Sequence, residues 1–251
     1  MRLTEFEVKS IITNTKIFFG SEAKVYLFGS RIDDCKKGGD IDLYITPANI
    51  EDLFQKKIKF LIALEKLIGE QKIDIVFAQD PARLIEQVAL QEGVELTIEH
   101  LRIQKVINEC DKHLHRMNDA YQDMQAFMLL TPESYQQLSK DEIQDIDQYL
   151  YRFSKLQDAM GEKLFKLVIS RYEESFEKLS FIDILNKLEK LQLIHSAEDW
   201  KLLRQIRNDL AHEYEDDPDK IVWILNNIFS KKQLIENIYL KLKAVVSDYI
   251  N

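Results

Sequence analysis

The chain has 251 residues, 45% of them hydrophobic and 10% aromatic, which is the make-up of an ordinary globular protein and, by length, of two domains. No apolar run reaches the ~20 residues of a membrane-spanning helix, and the opening MRLTEFEVKSII lacks the apolar centre of a secretory signal, so a cytoplasmic protein without membrane contact is expected. A formal net charge of −9 repels a long phosphate backbone and leaves room only for a local nucleotide or RNA-end site, while Cys35 and Cys110 are too far apart to suggest a disulfide framework or a cysteine metal site.

Up to about residue 98, strand and helix patterns alternate. Thr4 with Glu7 forms the capping-box pattern of a first helix, and Val25–Gly29 is a short apolar strand. Asp40–Ile45 (DIDLYI) alternates polar and apolar residues as a half-buried strand does. Residues 50–68 are apolar at helical spacing, and Ile73–Phe77 (IDIVF) is a third strand. Asp80-Pro81 reads as an N-cap with proline at the first helical position, starting a helix that Gly93 ends.

From about His100, strand signals vanish. One helix spans 100–130, and Ser139 with Glu142 caps a second that runs towards Arg171 through Gly161. Ser180 with Asp183 and Ser196 with Asp199 cap two shorter helices, and Asp217-Pro218 starts a single long last helix carrying Ile221 to Leu242. The expected fold is α+β, with a small mixed-sheet domain over 1–98 followed by an all-α up-down helix bundle over 99–251.

Two constellations carry chemistry. In the first, Gly29-Ser30 follows a strand, a basic loop with Arg31, Lys36 and Lys37 comes next, and Asp40 and Asp42 open the second strand. Alternate strand residues share a face, so these two carboxylates lie side by side, and Asp74 joins them if the third strand pairs with the second. Three hard oxygen ligands suit Mg²⁺, and their mutual repulsion favours a bound cation. Gly29 lets the backbone approach a triphosphate, which the Ser30 hydroxyl and amide can bind, and Arg31, Lys36 and Lys37 can add positive charge to this nucleotide-binding loop. The plainer account makes Asp40 and Asp42 exposed positions on a half-buried edge strand. It fails to explain the combination with Gly29-Ser30 and with Asp74, an acid inside an otherwise apolar strand.

The second constellation is Arg207-Asn208-Asp209-Leu210-Ala211-His212-Glu213-Tyr214. Arg207 lies on the stripe shared by Trp200, Leu203, Leu210 and Tyr214. At 3.6 residues per turn, Arg207 and His212 diverge around one helix, so bringing them together needs a helix end or a second subunit. On residue chemistry alone, an ordinary ion pair for Arg207 and a helix-end role for His212 are the better account. His100, His113, His115 and His195 read as solvated or satisfied side chains, and nothing marks Cys35 as a nucleophile.

Residues 24–77, with Gly29-Ser30, Asp40-Ile41-Asp42 and Asp74, resemble the minimal nucleotidyltransferases (MNT) of the DNA polymerase β superfamily, and ALQEGVEL (89–96) is similar to the tail of such domains. The tract 180–194 with RNDLAHEY resembles a HEPN domain bearing the R-x4-H-x-Y motif. The resemblance implies ATP or another nucleoside triphosphate as substrate and two Mg²⁺ ions on Asp40, Asp42 and Asp74. It also implies Arg207 and His212 as residues of a metal-independent endoribonuclease, and Tyr214 as the residue that receives a nucleotidyl group in a toxin–antitoxin-like system. The leading expectation is a Mg²⁺-dependent nucleotidyltransferase moving AMP from ATP to Tyr214, in a homodimer joined through the helical domain. The alternatives are a HEPN ribonuclease controlled by the fused first domain, with RNA at a local site; a small-molecule enzyme similar to the aminoglycoside nucleotidyltransferases; and a non-catalytic nucleotide-binding module, against which the retained carboxylates argue.

Overall fold

The computed structural model describes residues 1–32, 38–212 and 217–247, with 210–212 described by their backbone alone. The chain falls into two compact units, Met1–Gln104 and Lys105–Ser247, each considered by itself.

In the first unit, Thr4 caps helix α1 (Glu5–Phe19) through a reciprocal pair: the Glu7 N–H donates to the Thr4 hydroxyl at 3.2 Å, and the Thr4 N–H donates to the Glu7 carboxylate at 2.6 Å. The elements that follow are β1 (Lys24–Phe28), β2 (Ile41–Thr46), α2 (Leu53–Ile68), β3 (Ile73–Phe77), α3 (Leu84–Glu92) and β4 (Val94–Glu95). The four-stranded sheet has the order β3-β2-β1-β4. It is mixed because α2 returns the chain so that β3 runs parallel to β2, while β1 pairs antiparallel with both β2 and β4.

The two-residue period of the strands sorts their side chains. Leu27, Ile41, Leu43, Ile45 and Ile75 join Val8, Ile11 and Phe19 of α1 and Phe60 and Leu64 of α2 in the main core. Phe28 and Tyr44 turn to the other face, where Ala89 of α3 meets them. Burying each large aliphatic side chain contributes about 1.5–3 kcal/mol. A one-residue slip of β2 would exchange those aliphatics for Asp40 and Asp42, so the register that protects the core also places the acids.

Two local expectations change. The helix expected from Asp80-Pro81 starts at Leu84. Asp80 instead accepts the Ala82 N–H at 2.9 Å, and the buried Glu86 carboxylate takes the N–H groups of Gln79 and Asp80 at 3.1 Å each, which holds 79–83 as a turn. The short β4 was not expected. Two residues cannot display an alternation, and this strand forms only because Val94 and Glu95 find Leu27 and Tyr26 as partners.

The second unit is helical, and no strand follows Glu95 among the described residues. Helix α4 (Ile98–Met124) contains the boundary between the units, which the sequence placed at 98/99. It is followed by α5 (Pro132–Tyr135), α6 (Lys140–Ala159), a five-residue π turn (Met160–Leu164), α7 (Phe165–Ile169), α8 (Phe181–Lys190) and α9 (Ala197–His212). Last come α10 (Pro218–Ser230) and α11 (Lys232–Ser247). Ser139 with Glu142 and Ser180 with Asp183 form the expected caps, and Asp217 accepts the N–H groups of Asp219 and Lys220 ahead of α10.

The single long last helix is therefore two. Near the break, the Asn227 side chain donates to the Trp223 carbonyl and the Ser230 hydroxyl to the Asn227 carbonyl, both at 2.8 Å, so side chains compete for the helix's own acceptors. The core of this unit centres on Trp200 and Phe165, whose rings lie 4.4 Å apart, and on Tyr149, whose hydroxyl donates to the Ile228 carbonyl at 3.2 Å. No described helix is long and apolar enough to cross a membrane.

Candidate active site

Parallel pairing of β2 with β3 puts Asp42 and Asp74 opposite one another in register. Asp40 lies one residue before β2 rather than within it. By the two-residue period, Asp40, Asp42 and Tyr44 share one face, as do Lys72, Asp74 and Val76. Across β1, Asp42 is paired with Phe28, immediately before Gly29. Gly29 has φ +75°, and a Cβ there would collide with the Asp42 carboxylate, so only glycine lets the backbone turn this close to the acid.

The electrostatics are those of crowded carboxylates. The Asp42 carboxyl holds its proton more tightly than usual, first because it is partly desolvated and then because Asp74 and Asp40 repel its charge; Lys72 opposes them. The Lys72 ammonium pairs with the Asp40 carboxylate and lies 3.4 Å from Asp74. Its own proton is retained more strongly, chiefly through the hydrogen bond to Asp40.

Three carboxylates fit a divalent cation by donor type and charge, and Lys72 is the cation that the cluster recruits from its own chain. Their placement is more open than that of a formed metal site: among the described residues, no three acids, histidines or cysteines stand close enough to hold one ion.

The phosphate-side residues behave differently from one another. Gly29, Ser30 and Arg31 form a short 3₁₀ turn that leaves β1. The Arg2 guanidinium ties this turn to the far end of the loop, donating to the carbonyls of Ser30 at 2.8 Å and Gly38 at 2.9 Å. Arg31 was expected to meet a phosphate. Its guanidinium instead donates to the carbonyls of Gly39 and Arg2 and to Gln71 at 3.0 Å, so its main task is to hold the loop. Cys35, Lys36 and Lys37 lie outside the described residues.

In the helical unit, Arg207 of α9 pairs with Asp158 of α6, with N–O distances of 3.1 and 3.3 Å. This is the ordinary ion pair that residue chemistry favoured. Asn208 lines a cavity of about 230 Å³ beside Phe181 and Trp200. His212 ends α9 and is described by its backbone alone, and Tyr214 lies outside the described residues. The structure therefore brings Asp40, Asp42 and Asp74 into one neighbourhood. His115 and His195 are each close to an acid four residues on, at 3.7 and 3.6 Å, and His113 contacts Arg152 at 3.4 Å.

Two participants escaped the sequence reading. Lys72 stands two residues before Asp74, so the strand period alone could have put its charge beside the acids. Asp158 lies 49 positions from Arg207 and carried no such signal. Comparison with protein-family models, with curated proteins and with solved structures yields no match to this chain.

Proposed function

We propose that the chain is a Mg²⁺-dependent nucleotidyltransferase that moves AMP from ATP to a tyrosine hydroxyl, with Tyr214 as the acceptor. The observation that carries this reading is the in-register pair Asp42 and Asp74, joined by Asp40 through Lys72 and set directly beneath the Gly29 turn. Asp40, Asp42 and Asp74 would hold the metal, which supplies positive charge for the triphosphate and the departing pyrophosphate. The chain's own share of the chemistry is to seat and orient the triphosphate. The Gly29 turn admits it close to the backbone, and Ser30 donates to its oxygens.

In the transfer, the phenol oxygen bonds to the α-phosphorus and the bond to the bridging oxygen of the pyrophosphate breaks. The phenolic proton passes to a carboxylate of the cluster and the electron pair leaves with pyrophosphate. A tyrosine hydroxyl has a pKa near 10, so a proton acceptor beside the reacting oxygen is required at neutral pH. The similarity of 29–74 to minimal nucleotidyltransferases and of RNDLAHEY to HEPN motifs supports the same assignment of donor and acceptor.

Intact-mass measurement before and after ATP with Mg²⁺ tests donor and acceptor together. One added nucleotidyl group on the parent protein is expected, with none on Asp42→Ala and none on Tyr214→Phe. A parent mass that stays unchanged after prolonged incubation overturns the activity. Label that persists at another residue in Tyr214→Phe overturns the acceptor.

A further inference from the structure

We propose that Arg2 is the positioning residue of the triphosphate turn: its guanidinium holds Ser30 and Gly38 in the one arrangement that receives the phosphates. This rests on the transferase reading above and adds to it a residue that belongs to none of its motifs.

The turn that leaves β1 needs a partner from outside. Gly29–Ile32 is a 3₁₀ turn of four residues, and so short a turn leaves its last carbonyls without donors of its own. Arg2 supplies two. Its side chain donates to the Ser30 carbonyl at 2.8 Å, and its backbone N–H donates to the Arg31 carbonyl at 2.7 Å. Each bond fixes a planar peptide unit, so the backbone on the C-terminal side of Ser30 is set by Arg2. The other side is set by Gly29, wedged against Asp42.

The second guanidinium nitrogen of Arg2 donates to the Gly38 carbonyl at 2.9 Å, at the far end of the loop. Gly38 in turn lies against the Ser30 side chain, because a Cβ at position 38 would collide with the Ser30 hydroxyl. One rigid fork therefore fixes both the backbone of Ser30 and the residue that bounds its hydroxyl. A lysine ammonium carries the same charge without that fork.

Arg31 braces the loop by a separate route. It bonds to the Gly39 carbonyl and to Gln71, which donates to Glu7 at 2.8 Å. Without Arg2 the loop stays attached and Ser30 alone loses its aim. Asp42 and Asp74 are placed by strand pairing, which Arg2 does not touch. Loss of Arg2 thus falls on triphosphate binding, which must then bear the cost of ordering the turn, and spares the chemistry at the acids.

The test follows the rate of self-modification of the full chain against ATP concentration with Mg²⁺. Arg2→Ala should raise the half-saturating ATP concentration by at least about tenfold, with the maximal rate within about threefold of the parent and the melting temperature near it. Inorganic tripolyphosphate should weaken as an inhibitor by the same factor, while adenosine keeps its parent potency, since only phosphates meet the turn. Arg2→Lys should remain at least about fivefold above the parent. Gly38→Ala, which keeps the fork and displaces the Ser30 hydroxyl, should show the same split and decides the matter if Arg2→Ala does not fold. A parent protein with no transfer activity overturns the transferase reading and this role with it. With an active parent, the role of Arg2 alone is overturned by an unchanged ATP requirement in Arg2→Ala or Gly38→Ala, by equal losses for tripolyphosphate and adenosine, or by full recovery in Arg2→Lys.

Discussion

The acids of the first unit lie where two strands run side by side, so backbone pairing sets the distance between Asp42 and Asp74 whatever the side chains do. Arg207 and Asp158 sit on two different helices, α9 and α6, and they meet only through the packing of those helices. The difference is one of dependence. Charges on the sheet can be changed with little effect on the scaffold, whereas changes near Arg207 act on the packing that holds the site together.

The largest test of this contrast is Asp42→Ala. Transfer activity should fall by at least about a hundredfold, as when a charge-stabilising group is removed from a reacting centre. The melting temperature should hold or rise, since a repelled carboxylate is lost. A large drop in stability would show that the acid is part of the scaffold. Trp200→Ala is the counterpart: removing one of the largest fully buried side chains should cost about 3–5 kcal/mol in a chemical denaturation series.

Cys110 measures how dry the helical interior is. Burial pushes its thiol up to about 12, so the folded form keeps a proton that the unfolded chain releases near pH 9. The folded state binds more protons between those values. Its stability therefore declines as pH rises above about 9, and Cys110→Ala should lack that part of the slope in paired thermal melts.

Lys72→Met gives a smaller effect of opposite sign. Removing the ammonium that competes for Asp40 and Asp74 should lower the Mg²⁺ concentration for half-maximal transfer by up to about fivefold, the scale of an exposed ion pair. A raised Mg²⁺ requirement would mean that Lys72 assists the site instead. Smallest of all, Arg207→Ala should cost about 1 kcal/mol or less, because its pair with Asp158 is about 30% exposed.

The same contrast explains what the amino-acid order reveals. Asp40, Asp42 and Asp74 are legible because a strand has a period of two and because an acid within IDIVF is conspicuous. The caps at Thr4, Ser139, Ser180 and Asp217 are legible because a cap is a local bond across three residues. Asp158 is not, since nothing in the α6 pattern states which of its polar residues α9 will meet. The partners of Arg31 are not legible either, because its attachment to Gly39, Gln71 and Arg2 depends on how a loop folds back. The break at Lys231 hides in a continuous apolar periodicity, and only the Asn227 and Ser230 side chains hint at it.

The π turn at Met160–Leu164 has a consequence for chain length. A π turn is an α-helix carrying one surplus residue, so the helix on either side already follows the path it would take without it. Deleting Glu162 should let the turn relax to regular winding while Phe165, Val168 and Ile169 keep their places in the core. Buried helices ordinarily resist such deletions, since losing one residue rotates all that follows by about 100°. Here the helix carries its own spare residue, so a lineage could shorten or restore it in a single step without rebuilding the fold.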